Sequence, residues 1–113
     1  MTLWFLRGLR QGVVTTRYPA RPDPSAACLP TPPTFSADAI SAALADRLVA
    51  LCPSRALDRD GDRLVFDAGA CTACGRCEQA GYPAVRPSGH FELAATRRVD
   101  LVKRIPLKPE TGP

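Results

Sequence analysis

Three cysteines at a strict spacing of three, in the run Cys71-Thr72-Ala73-Cys74-Gly75-Arg76-Cys77, restrict this chain more than any other stretch. Thiolates placed three apart, with small residues and a glycine between them, can turn their sulfurs inward around a compact cubane. Backbone N–H groups of such a loop then point at the sulfides. The run supplies three ligands, and a 4Fe-4S cluster takes four.

The pattern CxxCxxCxxxCP of bacterial two-cluster ferredoxins indicates where the fourth lies, because the last cysteine of each run ligates the other run's cluster. Upstream, Cys52 precedes Pro53 as the fourth cysteine of a first run would. The three earlier positions of that run are Ala42, Ala45 and Leu48, and the fourth position of the second run is Gly81. Under cross-ligation, positions 42, 45, 48 and 81 would have held one cluster, and that site is erased. The other keeps its whole set, Cys52, Cys71, Cys74 and Cys77. The sequence therefore predicts an α+β chain, a bacterial two-cluster-ferredoxin-type fold reduced to one 4Fe-4S cluster.

Three other readings stand beside it. Zinc also takes four thiolates, but its usual form is two separated CxxC knuckles rather than three cysteines in seven residues and a distant Cys-Pro. A disulfide framework needs an oxidising compartment, and the N-terminus does not read as a cleavable secretory signal. A degenerate domain without metal is the third, against which stands the survival of one complete set. Cys28, the fifth thiol, has no cysteine near it in sequence and is left out of the site.

Length and composition set the frame. A chain of 113 residues is one small domain, for which a cluster would act as a cross-brace. Its 12 prolines and 8 glycines predict much extended or irregular backbone laid over a neighbour, the habit of a subunit. The formal charge is +4, and an anionic four-thiolate cluster would lower it to about +2. With few aromatics and no basic stripe, nucleic acid is not an expected partner.

Along the chain, Leu6, Leu9 and Val13 recur at helical spacing opposite Arg7, Arg10 and Gln11, with Trp4 and Phe5 at the terminus. This predicts an amphipathic helix over residues 1–17, too short and too charged to span a bilayer, that either docks on a membrane surface or another subunit or packs on its own domain; Trp4 and Phe5 beside the arginines favour a docking helix. Six prolines in the sixteen residues Tyr18–Pro33 make 18–35 an extended arm. The ferredoxin-like unit is expected over 36–95. It opens with a helix over residues 37–51, capped by Ser36 and carrying Ile40, Leu44, Leu48 and Leu51, whose alanine and leucine would fill the lost cluster's volume. A β-hairpin over residues 56–66, turning at Asp60-Gly61, would bring Cys52 against the cysteine loop. A second short hairpin is expected over residues 83–94, with His90 at its turn and no second group to give that histidine a role. Residues 96–113 read as a basic, proline-rich extension: a solvated helix or partner contact first, then a tail from Pro106 onward.

Several stretches together resemble a known family. Phe5-Leu6-Arg7-Gly8-Leu9-Arg10-Gln11-Gly12 with Thr15-Thr16-Arg17-Tyr18-Pro19, Cys52-Pro53-Ser54-Arg55-Ala56-Leu57, Cys71 to Glu78, and Phe91-Glu92-Leu93-Ala94 are similar to the ferredoxin-type subunit of membrane-bound NiFe hydrogenases. Formate hydrogenlyase and the related chain I subunit of respiratory complex I belong to that group. The resemblance implies an electron-transfer subunit with no catalytic centre of its own, peripheral on the cytoplasmic side of the cell membrane. Its implied partners are hydrogenase-like large and small catalytic subunits, membrane-arm subunits and a redox donor or acceptor protein. The erased ligands imply a shortened wire that exchanges electrons directly at the remaining cluster. The contrasting expectation is a structural adaptor of such a complex, whose cluster or zinc serves only to fold it.

Overall fold

A computed structural model describes residues 3–12, 15 and 17–109. The described residues form an α+β arrangement of three helices and five strands in two small antiparallel sheets. Helix α1, Leu3–Gln11, is shorter than the segment predicted for it. Gly12 stops it in a left-handed conformation, φ 65°, with its N–H donating to the Gly8 carbonyl at 3.1 Å, a glycine cap that a side chain would strain. Val13 lies outside the described residues. The proline-rich arm is not extended throughout: it turns at residues 18–20, where the Arg21 N–H donates to the Arg17 carbonyl at 3.0 Å, and again in a short 3-10 turn, Pro24–Cys28, where the Asp23 carboxylate accepts from the Ser25 N–H at 2.9 Å.

The arm then enters a sheet. Strand β1, Pro33–Phe35, pairs antiparallel with β4, Val85–Pro87, in the register Pro33↔Pro87, Thr34↔Arg86, Phe35↔Val85. This replaces the hairpin expected over residues 83–94, since residues 91–94 form no strand. Prolines at the strand ends keep the missing N–H groups out of the ladder's centre. The buried Thr31 hydroxyl accepts from the Gly89 N–H at 3.1 Å, so the arm is fastened at a buried polar group as well.

The single helix expected over 37–51 is interrupted. A 3-10 turn, Ala37–Ala39, follows Ser36, whose side chain makes no capping bond, and helix α2 runs over Ala42–Leu51. Its cap is Ser41, whose hydroxyl accepts from the Leu44 N–H at 3.2 Å. The break has a structural use. Ile40 stays extended and fully buried, and its carbonyl accepts from the Lys108 N–H at 2.8 Å, which a continuous helix would prevent. Ser41→Ala should therefore destabilise the protein by about 1 kcal/mol while Ser36→Ala changes little, measured by denaturant titration. Equal effects would return the cap to Ser36.

Strands β2, Leu57–Asp60, and β3, Arg63–Asp67, form the expected hairpin with Gly61 and Asp62 as its two-residue loop. Gly61 has φ 57°, the left-handed setting that such tight turns require. A two-stranded hairpin alone is marginal. Strand β5, Val102–Pro106, completes the sheet in the order β2-β3-β5, with Leu64↔Ile105 and Phe66↔Lys103 among its pairs. The basic segment read as a solvated helix or partner contact is thus a strand, preceded by a 3-10 turn over Arg98–Leu101. Residues 110–113 of the expected tail lie outside the described residues.

Helix α3, Arg76–Gly81, leads from the cysteine loop to β4. The core lies between α2 and the two sheets, with Ile40, Leu48, Leu64 and Val85 fully buried and Phe35 against Phe66 at a centroid distance of 5.1 Å. Burying each such aliphatic side chain stabilises the fold by about 1.5–3 kcal/mol. Arg59 ties the hairpin to α2, donating to Asp46 at 2.6 Å and to the Ala42 carbonyl at 3.3 Å.

Candidate metal centre

Cys52 sits where α2 stops. It is the residue after the last helical turn, its N–H donating to the Leu48 carbonyl at 3.2 Å, and Pro53 forbids another turn. Arg55, at φ 53°, reverses the chain into β2. The β2-β3 hairpin runs out and back, and the Asp67 N–H donates to the Ala56 carbonyl at 2.8 Å, closing its base. Cys71 follows four residues later. The hairpin is thus the device that sets a cysteine from the end of a helix beside a loop 19 residues downstream.

The loop itself has no regular structure from Cys71 to Cys74. Ala73, φ 52°, and Gly75, φ 76°, both take the left-handed setting, and Gly75 is also the residue from which α3 starts. For Ala73 this conformation costs energy that glycine would not incur, and it turns the loop tightly enough to bring its cysteines to one side. Cys77 lies in the first turn of α3.

All four predicted residues, Cys52, Cys71, Cys74 and Cys77, line one cavity. The rest of its wall is mostly apolar, including Pro33, Leu57 and Phe66. Cys52, Cys71 and Cys77 are half-buried and Cys74 is exposed. Cys28 is exposed on its separate 3-10 turn and takes no part in the cavity wall. His90 borders a different hollow with Pro32, Thr34 and Lys103.

The sulfurs also receive hydrogen bonds. The Ala56 N–H donates to Cys52 Sγ at 3.3 Å, the Ala73 N–H donates to Cys71 Sγ at 3.4 Å, and Ser54 Oγ lies 3.6 Å from Cys52 Sγ. Burial raises the Cys52 thiol, but the Ser54 hydroxyl and the N–H groups of Ala56, Ser54 and Leu57 together outweigh it, so the thiol ends below its ordinary value. At Cys71 burial wins over the Ala73 N–H and the thiol is raised. Cys77 is pushed up to about 11, by burial first and then by the charge of Glu78. Among the described residues no group of three or more Cys, His, Asp or Glu side chains is drawn together tightly enough to hold a single metal ion.

The donor set fits an iron-sulfur cluster on its chemistry. Four cysteine sulfurs, soft donors once deprotonated, line one mostly apolar cavity, with backbone N–H groups directed at two of them.

Of the positions without cysteine, Leu48 and Gly81 come together. Ala45 and Leu48 are fully buried, Gly81 is buried at the end of α3, and Ala42 starts α2. A Cβ added at Gly81 would lie 2.5 Å from Val85 Cγ2 and 3.5 Å from Leu48 Cδ2. Apolar side chains fill this volume to contact distance.

Sequence reasoning named the four cysteines and expected N–H groups of their loop at the site, as Ala73 provides, but missed the groups that bond to Cys52. Ser54, two residues after Cys52, is the one of these a sequence could have suggested. The backbone donor at Ala56 carries no residue signature. No protein-family model matches the chain, and no curated protein matches it.

Proposed function

We propose that Cys52, Cys71, Cys74 and Cys77 hold one 4Fe-4S cluster, and that the chain is an electron-transfer subunit of a hydrogenase-like or complex I-like oxidoreductase, peripheral on the cytoplasmic face of a cell membrane. The observation that carries this reading is the meeting of Cys52 with the CxxCxxC loop in one cavity, although a helix end and a hairpin separate them in sequence. Their spread around a cavity wall suits a cubane, which holds its thiolates apart at separate corners.

When bound, such a cluster accepts and gives back single electrons. The chain's own residues hold and tune it. The N–H groups of Ala56 and Ala73 and the Ser54 hydroxyl favour thiolate over thiol at Cys52 and Cys71, and each bond to sulfur stabilises the more negative state. Pro33, Leu57 and Phe66 limit water on the inner side. Exposed Cys74 supplies the outer side, where a partner's redox centre can approach. The chain is read as a conductor that holds the cluster and does no bond chemistry of its own. The hydrogenase-like partners rest on the sequence resemblance alone.

No helix among the described residues is long and apolar enough to cross a membrane. Attachment would therefore be through the surface.

Iron, sulfide and zinc content of anaerobically purified protein, with EPR before and after dithionite, tests the proposal. About four irons and four sulfides per chain, with one cluster signal on reduction, are expected. Zinc, or no metal, would overturn electron transfer and leave a structural adaptor. An intact cluster that dithionite cannot reduce would leave the adaptor too.

A further inference from the structure

The amphipathic helix α1 carries five large hydrophobic residues that touch no core. Leu3, Trp4, Phe5, Leu6 and Leu9 are each at least 58% exposed, and no residue of the helix is buried. At about 100° per residue, Trp4, Phe5, Leu6 and Leu9 share one side with Gly8, while Arg7, Arg10 and Gln11 share the other. Trp4, Phe5, Gly8, Leu9 and Gly12 line one shallow apolar hollow, so the face is continuous.

Charge is partitioned in the same way. The first 22 residues contain Arg7, Arg10, Arg17 and Arg21 and no acid. Of the 15 basic residues these are four, leaving 11 to balance the 11 acidic ones in the rest of the chain. The whole net charge of +4 therefore sits on the segment that also exposes the apolar face. Elsewhere the surface is neutral in sum.

We infer that α1 binds in the plane of an anionic lipid surface, with Trp4, Phe5, Leu6 and Leu9 inserted at the level of the acyl chain boundary and Arg7 and Arg10 on the headgroups. An exposed apolar side sets the depth and an acid-free basic side selects negatively charged lipid. A protein groove would match the apolar side equally, but it would give no reason for the complete exclusion of Asp and Glu. The inference deepens the membrane-peripheral part of the proposed function and rests on it, while making no use of the cluster.

Trp4 is the only tryptophan, so its emission reports on α1 alone. The full-length chain, purified anaerobically, is mixed with vesicles of phosphatidylcholine and with vesicles of equal parts phosphatidylcholine and phosphatidylglycerol. Sedimentation with the mixed vesicles only, a shift of Trp4 emission to shorter wavelength, and loss of binding at high salt are expected. Arg7→Gln and Arg10→Gln should each weaken partitioning about fivefold, and Phe5→Asp about tenfold or more. Iron content should stay that of the parent, because no residue of α1 is buried and none lines the cysteine cavity. Failure to bind the mixed vesicles at low salt, equal binding to both kinds, or an unchanged Trp4 emission on binding would each overturn the inference. Vesicle binding by a chain without iron would instead sink the cluster reading and leave this one standing.

Discussion

A Cys52→Ser chain loses its cluster as fully as a Cys74→Ser chain, even though Cys52 stands 19 residues before the CxxCxxC run. The expectation follows from the shared cavity, because the four thiols wall one space and, in the proposed cluster, each supplies a quarter of the ligand set. Groups that only hydrogen-bond a metal ligand are worth about 10–100-fold in metal affinity, so removing a ligand should cost at least as much. Iron per chain should fall well below that of the parent, and the reduced EPR signal should vanish or change form. Stability should fall with it, since binding free energy at such a site is also folding free energy. Cys28→Ser, on an exposed turn away from the cavity, is the control and should leave iron, spectrum and stability unchanged. A normal spectrum and iron content in C52S would end the four-cysteine assignment.

Gly81→Cys returns a thiol to the position where the two-cluster pattern has one, and it should damage the protein rather than rebuild a second site. The new Cβ would fall 2.5 Å from Val85 Cγ2 and 3.1 Å from Val85 Cβ. Val85 is fully buried on β4, and its branch point lies next to the backbone, so it has no flexible end with which to yield. Either α3 or β4 must shift. Overpacking of this kind costs about 1–3 kcal/mol. Denaturant titration should show that loss for Gly81→Ala as well, with iron per chain no higher in Gly81→Cys than in the parent. A gain of iron in Gly81→Cys, or unchanged stability in both variants, would mean that the volume between α2 and α3 is not packed as described.

These two sites illustrate different kinds of legibility. The four cysteines that line one cavity could be named from spacing because thiol chemistry is a property of residues, and cross-ligation pointed to Cys52. The filling of the other site was legible in part, through Ala45 and Leu48, whose apolar character suited a core. The role of Gly81 was not, because its tightness is set by Val85 across a turn. The second hairpin was misplaced for a related reason. Residues 83–94 have local strand and turn signals, but β4 pairs with β1, whose proline-rich composition argued for an extended arm rather than a paired strand. Pairing over some fifty residues leaves no mark in either segment alone. The same holds for β5, where Val102 and Ile105 are consistent with helix or strand until β3 offers its open edge.

By itself, the sequence determined the α+β class, the β2-β3 hairpin, the amphipathic α1 and the identity of the thiols. All are set by residue type and short-range spacing, through tight-turn sterics, helical periodicity and donor chemistry. Only the tertiary structure decided that Ser41 rather than Ser36 caps α2, that the end of the arm and the basic extension become strands, and that the Ala56 N–H and the Ser54 hydroxyl lie against the Cys52 sulfur. These depend on which backbone groups and apolar faces remain unpaired once distant segments have packed, and no local window contains that information.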